Sequence, residues 1–273
     1  MNQKTKDTQK RYDGFLQTGC LWKNSTVFDL KHFQLPIKSS KINIEIDEKL
    51  RLGKYIERFV SFELAQNSSI KIISENIQIQ KEKITLGELD CIILKDEKPI
   101  HLEIIYKFYV YDATIGTTEI EHFIGPNRKD SLLEKLNKLK EKQLPLLYSN
   151  ECEKYLNSID LASKNIEQQV YFKAQLFVPF SNKNVELSKI NKACIVGYYI
   201  NKKELLQFSD CKFHIPNKKD WLVMPHENIN WQSFKRFEKN ANAYLERQFS
   251  PLCWVKKSNG EIEKFFLVWW SYK

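Results

Sequence analysis

A chain of 273 residues, with 42% apolar and 28% charged side chains, carries enough branched aliphatic and aromatic residues to bury a core, which excludes an intrinsically disordered chain. Lysine and arginine outnumber aspartate and glutamate by 43 to 34, and the resulting formal charge of +9 suits a polyanionic partner such as nucleic acid. The amino terminus lacks an apolar signal-peptide core and the longest apolar runs, 193–200 and 265–270, are too short to span a bilayer, so a cytoplasmic protein is expected.

The first dozen residues are polar enough to be loose, and residues 1–47 read as an N-terminal extension. From 50 to 65, "LRLGKYIERFVSFELA" has apolar residues at helical spacing on more than one face, which predicts a largely enclosed helix. Gly53 shares a face with Glu57, Val60 and Leu64 and would allow close approach to a sheet. Three strand-like runs follow, 70–80 with a break near Asn76, then 84–94 and 100–110, and their short polar links predict antiparallel hairpins. Residues 128–144 predict a second helix with Asn127 as N-cap and Leu132, Leu136 and Leu139 as its buried stripe, and 170–180 predicts another strand. The order helix, three strands, helix, strand predicts an α/β (α+β) core over 48–180, a central mixed sheet flanked by helices. Residues 181–273 read as an aromatic-rich α+β extension packed on that core, with a strand at 193–200, a helix at 231–247 and a hairpin turning at Asn259-Gly260. Five of the six tryptophans fall there, as packing rather than base-stacking aromatics.

Charged residues sit inside two of the strand runs. Side chains two apart share a face of a strand, so Glu88 and Asp90 point one way, and His101, Glu103 and Lys107 point one way on the next. Burying an unpaired carboxylate costs several kcal/mol, so such acids persist where they bind a cation or each other. Asp90 and Glu103 suit a hard divalent ion, Mg²⁺ or Mn²⁺, and Lys107 beside them could orient or deprotonate a water, which is the chemistry of metal-dependent phosphodiester cleavage. The same spacing fits a plain ion pair of Lys107 with Glu103. Glu88 could add a carboxylate or pair with a lysine, and His101 reads as a partly exposed histidine at the start of its strand. Arg128, Lys129, Lys135, Lys138 and Lys142, on the second helix and its approach, form a basic surface that would position phosphates without reading bases; solvated basic faces are also common on helices.

The succession "LGKYIERFVSFEL", "TLGELDCIIL", "HLEIIYKFYV" and "FIGPNRKDSLLEKLNKLKEKQL" resembles the PD-(D/E)XK nuclease superfamily, with its restriction-endonuclease-like α-β-β-β-α-β core. More closely, it is similar to an uncharacterised bacterial family of domains of unknown function placed within that superfamily. The resemblance covers residues 48–180 and implies a Mg²⁺-dependent nuclease acting on nucleic acid, DNA ahead of RNA. It places Glu57 at the first-helix acid that helps hold a metal or its water, Asp90 at the central metal-binding aspartate and Glu103 at the acid of the E-x-K element. Ile105 stands where the pattern has its lysine, and Lys107 comes two residues later, on the same face but roughly 6 to 7 Å further along. Two other functions fit the same residues: a nucleic-acid-binding module that keeps the scaffold without catalysis, and a protein-interaction factor acting through its aromatic C-terminal region.

Overall fold

The computed structural model describes residues 3–22, 26–35 and 40–271. Its elements begin with helices α1 (Gln3–Gln17) and α2 (Leu52–Ala65), strands β1 (Ile70–Lys81), β2 (Ile84–Lys95), β3 (Lys98–Tyr111) and β4 (Phe123–Ile124), and helices α3 (Leu132–Lys138) and α4 (Asn150–Ser158). Strands β5 (Glu167–Pro179), β6 (Ile195–Asn201), β7 (Lys212–His214) and β8 (Gln232–Ser233), helix α5 (Phe234–Leu245), and strands β9 (Leu252–Lys256) and β10 (Ile262–Val268) complete a mixed α/β fold. Among the described residues no helix is long and apolar enough to cross a membrane. The chain divides into two compact units, one of residues 20–106 and 134–173, the other of residues 1–19, 107–133 and 174–273.

In the first unit the strand order is β1-β2-β3-β5, and the short polar links between the first three strands give antiparallel pairs, as their length requires. The expected break in β1 is real: Asn76 has φ 55°, a left-handed conformation that asparagine tolerates, and the pairing with β2 shifts register after Ile72. Helix α2 packs on β1 with Tyr55, Phe59, Val60 and Leu64 buried, which accounts for an apolar pattern wider than a single stripe. Gly53 does not mark a close approach, since a Cβ there would meet nothing within 4 Å. Ile77, Ile79, Leu89 and Ile92 form a core with Leu147, Cys152, Leu156 and Ile166. Two of these belong to α4, a helix without a sequence expectation, whose N-cap Ser149 accepts from the Cys152 N–H at 3.2 Å.

The second helix departs from expectation. Arg128 has φ 56°, which is incompatible with a helix, and Asn127 Oδ1 accepts from Ser250 N at 2.7 Å instead of capping. Regular α-helix starts only at Leu132 and ends at Lys138, followed by a π-helical turn, Leu139–Gln143, and a 3-10 turn, Leu144–Tyr148. Pro145 lacks an N–H and its ring crowds the carbonyl four residues back, so regular α-helix cannot run through this stretch.

In the second unit the strand order is β5-β6-β10-β9-β7-β8; the first two pairings are parallel and the remaining three antiparallel. The β9–β10 hairpin turns through Gly260 at φ 88°. Trp221, Trp254 and Trp270 are buried, in keeping with packing aromatics. The amino-terminal residues expected to be loose are helical from Gln3 onward, with Met1 and Asn2 outside the described residues. Tyr12 and Phe15 are buried, and Arg11 Nε meets Asp220 Oδ1 at 2.7 Å. A Cβ on Gly14 would stand 1.9 Å from the Leu222 carbonyl oxygen, so only glycine permits this docking.

Candidate active site

Residues three apart on a helix are neighbours, and α2 presents Lys54 and Glu57 together. The Lys54 ammonium donates to Glu57 Oε2 at 2.8 Å, to Asn76 Oδ1 at 2.8 Å and to Glu88 Oε1. The alternation of β2 sends Glu88 and Asp90 to one face, and carboxylate oxygens of Glu57, Glu88 and Asp90 lie within 4.8 Å of one another. Asp90 Oδ2 also accepts from the Ile104 N–H of β3 at 2.9 Å.

Glu103 and His101 sit behind this trio, both fully buried. Gln168 Nε2 donates to Leu144 O at 2.7 Å and to His101 Nδ1 at 3.0 Å. The imidazole therefore carries its proton on Nε2 and donates it to Glu103 Oε1 at 3.1 Å. His101 is thus not the partly exposed histidine expected: strand position alone did not reveal that Gln168 and Glu103 would satisfy both ring nitrogens in the interior. The other Glu103 oxygen accepts from Gln143 Nε2 at 2.7 Å, and Gln143 Oε1 accepts from Lys135 Nζ at 2.7 Å.

The electrostatics follow from this crowding. Burial and the neighbouring Glu103 carboxylate push the Asp90 carboxyl from 3.8 up to about 8, against the pull of the Ile104 N–H. Burial also raises Glu57, with the Glu88 and Glu103 charges adding to it and Lys54 opposing. Burial disfavours the Lys54 ammonium, but its bonds to Glu57 and Glu88 outweigh that and raise its pKa.

A cleft of about 470 Å³ opens over the acids. Glu57, Glu88 and Asp90 lie on its lining with Lys54, and Lys135, Lys138 and Lys142 line it as well. Three of the expected basic residues therefore share a cavity with three of the expected acids. Asp90 and Glu103 are close enough for their charges to interact, but the set at ligand spacing is Glu57, Glu88 and Asp90, while both Glu103 oxygens hold side-chain donors. Lys107 belongs to the second unit, where its ammonium donates to Asp130 Oδ2 at 2.6 Å. Arg128, also there, donates to Asp112 Oδ2 at 3.1 Å and lies over the Trp270 ring at 4.6 Å, while Lys129 is exposed.

Sequence reasoning passed over Lys54, Asn76, Gln143 and Gln168. The i,i+3 spacing of Lys54 and Glu57 was a usable signal. Asn76 revealed itself only as a strand break, and the placement of the two glutamines depends on the π-helical turn and on strand register. A family model described as "Domain of unknown function (DUF1853)" matches residues 28–268. No curated protein and no solved structure matches the chain.

Proposed function

The chain belongs to the DUF1853 family, and we propose that it is a divalent-metal-dependent nuclease hydrolysing phosphodiester bonds of nucleic acid, with DNA ahead of RNA. The observation that carries this reading is the convergence of Glu57, Glu88 and Asp90 with an ammonium in a cleft also lined by lysines. The resemblance of residues 48–180 to the PD-(D/E)XK nuclease superfamily supports it. The donor set fits Mg²⁺ or Mn²⁺: all three ligand groups are hard carboxylate oxygens, and Asp90, pushed up to about 8 by burial and the Glu103 charge, stands to gain from a neighbouring cation. When bound, such an ion supplies a Lewis acid for the phosphoryl oxygen and activates water.

The protein's own groups do the rest. Glu57, Glu88 and Asp90 would hold the ion. Lys54 takes the role first expected of Lys107, orienting the attacking water and countering charge on the phosphoryl group, since Lys107 is engaged by Asp130. Glu103, fixed by His101 and Gln143, sets the field around Asp90. Lys135, Lys138 and Lys142 hold backbone phosphates along the cleft.

The test is incubation of the purified protein with single-stranded and duplex DNA and RNA in Mg²⁺ or Mn²⁺. Cleavage is expected, and Asp90→Asn should abolish it while leaving a cooperative unfolding transition. Absence of cleavage of every substrate in both ions overturns the proposal. A second reading is favoured by the Lys54 ammonium itself, which lies between Glu57 and Glu88 as a cation would: a scaffold that binds nucleic acid without cutting. Strongly salt-dependent binding without cleavage is its signature.

A further inference from the structure

Strand β2 runs on beyond the acids to the tip of its hairpin with β1. The β1–β2 pairing bulges at Leu86, since Ile79 pairs with Gly87 and Gln80 with Thr85, and exposure along the strand is graded: Ile84 is 67% exposed, Leu86 44%, Glu88 and Asp90 are partly buried, and Ile92 is fully buried. Leu86 lies on the lining of the acid cleft and stands roughly 13 Å along the strand from Asp90, with Ile84 roughly 20 Å away at the tip of the β1–β2 hairpin. Leu146 lines the same cleft, and at the end of its 3-10 turn Tyr148 is 57% exposed.

Three of the six exposed large apolar side chains among the described residues thus lie on β2 and the neighbouring 3-10 turn, and Lys138 and Lys142 on the preceding turns supply exposed positive charge. Large apolar groups left in water at the mouth of a basic cleft need an occupant that is apolar on one side and anionic on the other. A duplex turns its phosphates outward and hides its base faces in the stack, so it would use the lysines and leave the apolar strip uncovered. An unpaired strand exposes base faces and carries phosphates on the same chain.

We infer that Ile84, Leu86 and Tyr148 form a base-stacking strip that selects single-stranded nucleic acid and leads it, with its phosphates on Lys138 and Lys142, toward Asp90. This deepens the nucleic-acid reading of the cleft and rests on it. Ile84 and Leu86 are the exposed large apolar residues of β2 and lie at its outer end, so bases stack outside the acid trio and the backbone enters it.

The experiment is equilibrium binding of a dye-labelled oligothymidylate of about 20 nucleotides, long enough to exceed a single stacking site, and of a duplex of equal length, in chelator so that nothing is cleaved. Wild type is expected to bind the single strand more tightly than the duplex. The double variant Ile84→Ser, Leu86→Ser should weaken single-strand binding about fivefold or more, with duplex binding and the salt slope unchanged because every lysine remains. Both positions are exposed, and thermal unfolding of the variant checks that the fold persists. Duplex binding as tight as single-strand binding, an unaltered preference in the double variant, or no binding to either overturns the inference; in the last case the strip is a protein-docking face. Binding in chelator separates this from catalysis. A chain that grips single strands through this strip but never cuts keeps the inference and loses the nuclease, whereas cleavage indifferent to Ile84 and Leu86, without single-strand preference, does the reverse.

Discussion

Gln143 Nε2 donates to Glu103 Oε2 at 2.7 Å, joining a π-helical turn to the middle of a buried strand. Glu103 is fully buried, so removing this donor leaves an acceptor in the interior without a substitute. Gln143→Ala should destabilise the protein by about 1–3 kcal/mol, measured as a shift in the urea midpoint at constant slope. A change within experimental error would mean that Glu103 does not depend on this amide.

Asp90 should leave a pH signature. Its folded pKa, about 8, lies above the ordinary 3.8, so between those values the native state holds a proton that the unfolded chain has released. Without added metal, the contribution of Asp90 therefore becomes less favourable as pH rises from 4 to 8 and levels off above that. Relative to wild type, Asp90→Asn should gain stability across this window, on the order of 1 kcal/mol or more by pH 8, and the advantage should be absent at pH 4. Denaturation midpoints of both proteins across that range decide it; a constant difference would contradict the raised pKa.

Lys54→Met separates the two roles its ammonium can have among the acids. With the positive charge gone, no ammonium occupies Glu57 and Glu88 or repels a divalent cation from them, so Mn²⁺ titrated calorimetrically should bind at least as tightly as to wild type. Cleavage should nevertheless fall by about 100-fold or more, because the group facing the phosphoryl charge is lost. Cleavage at the wild-type rate would remove Lys54 from the chemistry.

Lys264 tests the interior of the second unit. Its ammonium is buried on β10, donating to Gln175 Oε1 at 2.9 Å and Trp221 O at 2.8 Å, both neutral acceptors, and burial pulls its pKa from 10.5 down to about 7. Between those values the unfolded chain binds the extra proton, so stability rises with pH. The stability of wild type relative to Lys264→Met should therefore improve from pH 7 towards pH 10. A flat difference would show that the amine stays charged in the core.

Legibility in the sequence followed the range of the interactions involved. Helix α2 and strands β1 to β3 could be read because their apolar periodicity and short links are local, and parity on β2 correctly joined Glu88 to Asp90. Helix α1 escaped because Tyr12, Phe15 and Gly14 are few among polar residues and acquire meaning only against Leu222. The helix at 128–144 was over-extended because its leucine stripe is genuine, while Ser250 draws off Asn127 and Pro145 disrupts the far end. Lys107 attracted attention by parity with Glu103, yet its partner, Asp130, lies 23 residues on. The side chains that complete the acid cluster, Lys54 and Asn76, meet there only once α2 is packed on β1.

The widened turn at Leu139–Gln143 makes chain length there as consequential as side-chain identity. Shortening it by one residue would remove the widened turn and swing whatever follows by about 100° around the axis, carrying the amide away from Glu103 with no atom of either side chain altered. Residue swaps along this stretch should accordingly be tolerated far more readily than a single-codon deletion.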